Sequence, residues 1–175
     1  MGGEVMMVLV YVTGQALCKP SRALYHLMMC VVNVYFTIVI KLVLHNPRPY
    51  MMVGDSIKVI SSSGAISSEF GDPSGHTMSS SQVIVSVFLD YMAQKDEEDK
   101  KITKNCYQNK GRRWARYAIF LIVFTFTVLI VGYSRMFNGV HSLDQVITGA
   151  LLGVWQGIIG HYVIRPRLYS HVDGL

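Results

Sequence analysis

The sequence predicts an all-α protein: a polytopic membrane helix bundle forming a single domain over residues 1–175. Three observations predict it, namely the composition, the spacing of the apolar runs and the uneven placement of the basic residues. Of the 175 residues, 51% are hydrophobic and 15% are charged, whereas soluble domains carry roughly a quarter charged residues. The chain lacks the polar surface that a soluble globular enzyme needs. A net charge of +5 points to nucleic acid when it sits on a hydrophilic body, but here long apolar runs dominate, so the expected partners are membrane lipids and not nucleic acid. Cys18, Cys30 and Cys106 are widely spaced and odd in number, which fits neither a disulfide framework nor zinc.

A crossing helix needs about twenty mostly apolar residues. Val5 to Leu17 is short for that. It lacks the basic n-region of a signal peptide, since Glu4 is its only charge before Lys19. Met6 stands where myristoylation requires Ser or Thr. This stretch therefore reads as a short or truncated first helix. Ala23 to Leu44 is the second segment. Thr77 to Ala93 is the third, and it is the most polar: Ser79, Ser80, Ser81 and Gln82 crowd its first turns and Asp90 lies near its end. Such residues are tolerated where they face the bundle interior or a wet cavity, so this helix is expected to line something. Tyr117 to Tyr133 and Val146 to Ile164 complete the set. A basic loop, residues 94–116, joins the third and fourth, with Trp114 and Tyr117 placed as interfacial anchors.

Alternating directions sort twelve of the sixteen Lys and Arg residues to one side, leaving Lys41, Arg48, Lys58 and Arg135 on the other. By the positive-inside rule the crowded side is cytoplasmic. Three of the four remaining cations sit at span ends or just past them, beside Pro, Gly and His, where topology does not require charge.

Read in order, the sparsely charged side presents Lys41, six residues, then Arg48-Pro49; then Pro73-Ser74-Gly75-His76 at the start of the third segment; then Ser134-Arg135, five residues and His141 before the fifth. All lie at helix ends on one face, a convergence that the apolar runs by themselves do not require. The cations Lys41, Arg48 and Arg135 suit a phosphoryl group, Arg because it can grip two oxygens. Ser74 and Gly75 open a helix whose free N–H groups and positive end bind anions.

In this order Lys-x6-Arg-Pro, Pro-Ser-Gly-His and Ser-Arg-x5-His resemble the three signature motifs of the type 2 phosphatidic acid phosphatase superfamily, which includes lipid phosphate phosphatases, glucose-6-phosphatase and the related vanadium haloperoxidases. The resemblance runs from Lys41 to His141. It implies a bundle with a six-helix family core, of which about five helices are visible here, so an N-terminal helix is expected to be missing or supplied by another subunit. It implies a membrane phosphatase acting on a lipid phosphate monoester without a metal or other cofactor. His141 is then the nucleophile that forms a phosphohistidine, and His76 the acid and base. Lys41, Arg48, Ser74, Gly75, Ser134 and Arg135 bind the phosphate, although Ser134 equally reads as bonding a local carbonyl.

The chain departs from the family at one position. The third motif usually sets an Asp four residues after the nucleophilic His, to hold the imidazole. Here Asp144 comes at three residues and Gln145, as in glucose-6-phosphatase, at four. Asp144 either supports His141 or serves as a first-turn acid in a capping box of Ser142 and Gln145. His45 and Lys58 match no motif and read as loop residues, and His26, His161 and His171 as structural ones. A soluble sugar phosphate is the alternative substrate, and a non-catalytic lipid-binding or interaction protein the alternative class. The site is expected on the lumenal or extracellular side of the endoplasmic reticulum or plasma membrane.

Overall fold

The computed structural model describes residues 19–53, 70–102 and 106–172. These residues form helices α1 (Pro20–Leu44), α2 (Pro49–Val53), α3 (Gly75–Ile102), α4 (Cys106–Phe137), α5 (Leu143–Ile159) and α6 (Arg165–Val172), with a widened turn at Gly160–Ile164 joining the last two. No strand occurs among the described residues, and the all-α bundle expected from the composition is what forms. Val5 to Leu17 and Lys58 lie outside the described residues.

Three stretches are long and apolar enough to cross a membrane: Pro20–Met52, Gly111–Phe137 and Leu143–Val172. Their outward faces are what the composition demanded. α4 turns Leu121, Ile122, Phe126 and Leu129 outward, as a lipid-facing helix should. α3 is not one of the three, since Ser, Gln and Asp residues take up much of its inward face. It packs between α1 and α5, and Ser74, Thr77, Ser81, Gln82, Ser86 and Asp90 are all buried there. Hydrogen bonds within the bundle satisfy part of this face: Asn33 Nδ2 donates to Ser79 Oγ at 2.6 Å and Gln82 Nε2 to Ser86 Oγ at 2.9 Å. A central helix shielded by its neighbours can carry such side chains at membrane depth. The expectation that this segment lines something resolves into a polar seam inside the bundle.

Helix ends are placed by local chemistry. His45 takes a left-handed φ of 51° and its N–H returns to Lys41 O at 3.2 Å, closing α1 just before Asn46-Pro47. Gly139, at φ 68°, turns the chain after α4, a conformation that costs glycine little. Residues 94–116 are not the loop anticipated from their polarity. Residues up to 102 continue α3 and those from 106 begin α4, and Arg113 and Arg116 reach across to Asp96 at 2.9 Å and Asp99 at 3.5 Å. Interspersed acids let the charged residues up to 102 and those from 106 pair as two helical segments.

The contact that positions the site is α3 against α5. A Cβ on Gly149 would stand 2.6 Å from Ser74 O, and one on Gly153 would overlap Met78 O. Both backbones approach as closely as they do because α5 presents no side chain there. Gly153→Val should therefore force the helices apart and cost about 1–3 kcal/mol, read as a lower unfolding midpoint in detergent. Gly111→Ala, with nothing within 4 Å of the added carbon, should be neutral or stabilise by up to about 1 kcal/mol.

Candidate active site

Four long helices of alternating direction bring two C-termini and two N-termini to one end of the bundle. α1 and α4 end there with Lys41 and Arg135 in their last turns. α3 and α5 begin there, so their positive ends face the same region. Ser74 opens α3: its carbonyl accepts Met78 N–H at 2.9 Å and its hydroxyl lies 3.1 Å from Thr77 Oγ1. Ser142 opens α5. His76, on the first turn of α3, is exposed, whereas His141 is 4% and Arg48 7% exposed.

Gln145 joins the three segments that the sequence singled out. Its backbone carbonyl accepts Ser74 N–H at 3.0 Å. Its side-chain Nε2 donates to Pro47 O at 2.9 Å, and its Oε1 accepts Ser142 N–H at 3.3 Å and lies 3.3 Å from His141 Nδ1. Two backbone groups, one acceptor and one donor, thus fix which end of the amide is oxygen. Since Oε1 can only accept, Nδ1 of His141 carries the proton and Nε2 keeps its lone pair. Asp144 is exposed in the first turn of α5, where an acid complements the helix end. Of the two residues left open by the sequence, Gln145 is the one against the ring.

Burial holds the His141 imidazole down at about 4, the charge of Arg48 adds to this, the Gln145 hydrogen bond opposes it, and Arg135 and Lys41 depress it further. The cations of two separate segments therefore act on one ring. His141 is neutral at ordinary pH and able to offer Nε2 to an electrophile. Lys41, Arg48, Ser74, Gly75, Arg135, His76 and His141 all belong to this end of the bundle. Ser134 is exposed and its carbonyl accepts Asn138 N–H at 3.1 Å, in the turn that closes α4.

Two further residues hold the site together, and sequence reading passed over them. Asn46 Nδ2 donates to Asp72 Oδ2 at 2.8 Å, and Gly71 N–H donates to Asn46 O at 2.8 Å. This clamps the loop carrying Arg48 to the turn carrying Ser74. The available signal was positional: Asn46 precedes Pro47 inside the first motif, and Asp72 precedes Pro73, which opens the second. His45 is a helix cap and ring neighbour of Phe70, with centroids 4.7 Å apart. No group of three or more His, Cys, Asp or Glu residues able to hold a metal occurs among the described residues.

The profile of the PAP2 superfamily matches residues 22–169. The chain is 31% identical over 68 residues to a lipid A 4'-phosphatase of Porphyromonas gingivalis, a match that takes in 39% of this chain and 24% of that protein. The aligned part thus spans about a quarter of the curated relative's length. No solved structure matches the chain significantly.

Gln145→Glu should raise the His141 pKa, because a carboxylate favours the charged ring, and NMR titration of the ring reads this directly. In the unaltered protein the unfolded chain takes a proton near the ordinary 6.5 that the folded ring refuses until about 4. Stability from this residue is thus intact above pH 6.5 and lost as pH falls through that window. Denaturation midpoints measured across it should fall with pH, and less steeply in Arg48→Gln.

Proposed function

This chain belongs to the PAP2 superfamily, and from that membership we propose that it hydrolyses phosphate monoesters carried by membrane lipids. The observation that carries the reading is a neutral, buried His141 acted on by Arg48, Arg135 and Lys41 beside two helix N-termini. That combination suits a phosphate dianion: the cations and N–H groups neutralise its oxygens, and the lone pair on Nε2 meets the phosphorus.

In this mechanism Nε2 attacks phosphorus while the ester oxygen departs, taking a proton from His76. The products are an alcohol and a phosphohistidine. His76, now neutral, removes a proton from water as the water oxygen attacks the same phosphorus. The P–N bond breaks and His141 recovers its lone pair. Charge neutralisation comes from Lys41, Arg48 and Arg135, so the reaction proceeds in the presence of chelator. Gln145 keeps Nδ1–H pointed away from the phosphorus and orients the ring without adding negative charge to the phosphate pocket.

Two features support a lipid substrate. The site sits at the ends of apolar helices, with Leu42, Val43 and Leu44 exposed beside Lys41, the depth at which a headgroup lies. The partial relative is named for dephosphorylating a lipid. The positive-inside rule sets the site on the non-cytoplasmic face. A soluble sugar phosphate is the second reading, favoured by the neutral Gln145 in the place of the usual Asp. Parallel turnover of phosphatidate and glucose 6-phosphate by the purified protein separates the two.

His141→Ala should abolish phosphate release in chelator, and retained activity would remove His141 from the nucleophile's role. His76→Ala should slow hydrolysis of an alkyl phosphate about 10²–10⁴-fold. With a phenolic ester, whose leaving group needs no proton, this variant should accumulate an acid-labile phosphoenzyme. Quench-flow with labelled substrate detects it, and detecting none would point to direct attack by water.

A further inference from the structure

The end of the bundle away from His141 holds a second charge cluster that the proposed chemistry does not use. Asp90 lies about 24 Å along α3 from Ser74, at 1.5 Å per residue, and is fully buried. Arg22 of α1 donates Nε–H to Oδ2 at 2.9 Å, and Arg165, at the start of α6, donates Nε–H to Oδ1 at 2.7 Å. Gln94 adds a bond to Oδ2 at 2.9 Å and Tyr169 a bond to Oδ1 at 3.2 Å. These four donors, with His26 Nε2 at 3.8 Å from Oδ2, surround the carboxylate.

The cations are not matched in the same way. Both arginines are fixed on Asp90 by Nε, and Arg165 has a further polar contact with Tyr169. Arg165 also stacks on the Tyr169 ring, 4.5 Å from its centroid. Each keeps its two Nη groups for other acceptors. Among the described residues no second carboxylate reaches either one, so two guanidinium groups share one negative charge. Their side chains are only 17% and 15% exposed, and a surplus charge withdrawn from water is costly unless an anion joins it.

Two features of the chain place this surplus. Arg22 stands in the first turn of α1, which contains no acid, at the helix end where the backbone already favours an anion. Arg165 follows the widened turn, in which its own N–H returns to Gly160 O. The extra residue in that turn accommodates Pro166, which has no N–H for the helix ladder, and shifts the register.

We infer that Arg22 and Arg165, anchored by Asp90, form a binding site for one phosphate-class oxyanion at the bundle end opposite the candidate active site. An anionic lipid headgroup and free phosphate are the two sources of that chemistry. Its occupant would join α1, α3 and α6 across the cluster.

The test compares thermal unfolding of the full chain in nanodiscs of phosphatidylcholine alone and of phosphatidylcholine with phosphatidylglycerol, each with and without sodium phosphate at constant ionic strength. Phosphatidylglycerol carries a phosphodiester and is not a monoester substrate. The wild type should unfold several degrees higher with the anion that fills the site. A shift with phosphatidylglycerol assigns a lipid headgroup, and one with phosphate alone assigns the free ion. Arg22→Gln and Arg165→Gln each leave one cation for Asp90, so both should lose that shift and, in phosphatidylcholine, melt at or above the wild type. Asp90→Asn, with two unmatched cations, should show the largest shift. If either glutamine variant does not fold, Arg→Lys at the same position keeps the ion pair but removes the second donor group, and should lose most of the shift. The inference is overturned if the wild type is indifferent to both anions, or if the folded arginine variants shift as much as the wild type does. A phosphate response common to wild type and both variants belongs to the His141 end and counts against this site.

Discussion

The glycine face of α5 sets how closely α3 can approach, and the candidate site takes its geometry from that approach. With Ser74 O at 2.6 Å from the place of a Gly149 Cβ, the first turn of α3 lies within hydrogen-bonding distance of the first turn of α5. Two positive helix ends then face one region. Gln145 turns this proximity into a fixed register by bonding the Pro47 carbonyl, the Ser74 amide and the Ser142 amide. Gly71 belongs to the same arrangement, since a Cβ there would meet the Gln145 amide at 2.6 Å. Backbone contact therefore brings the separated motifs together, and the side chains of Lys41, Arg48 and Arg135 complete a region already positive.

The two ends of the bundle treat charge differently. Around His141, burial and cations act together on a ring whose partner is a neutral amide, so the group that orients the ring adds no negative charge there. Around Asp90 a carboxylate is present and fully buried, and offsets one of the two arginines that it anchors. In both places the apolar helices around the cluster exclude water, which lowers the effective dielectric and strengthens each interaction. The polar seam of α3 runs between them. Its side chains are affordable in a membrane because α1 and α5 cover them.

Much of the fold was legible. The apolar runs located α1, α4 and α5, since a helix that faces lipid must be apolar over about twenty residues. The motif residues were legible because three short patterns resemble a known family's signatures, and their cations and helix N-terminus are what a phosphate site demands. The capping role of Ser142 and Gln145 was also readable from spacing alone. The helical pairing in residues 94–116 was not, because a run of charge looks the same in a solvated loop as in a helix until Asp96 and Asp99 meet Arg113 and Arg116. Asn46 and Asp72 went unread because their bond joins residues 26 apart in the chain.

By itself, the sequence determined that this chain is a membrane helix bundle, which helix ends share a face and which residues there could meet a phosphate. The first two follow from composition and from the spacing of the apolar runs, and the third from three short motifs that resemble a known family's, all of which are local. Only the tertiary structure decided that Gln145 and not Asp144 lies against His141, that the ring is neutral with Nδ1 protonated, and that Asp90 anchors Arg22 and Arg165. Each of those depends on the angle and depth at which separate helices meet. That is set by where α5 lacks side chains, and a linear pattern of residue types does not contain it.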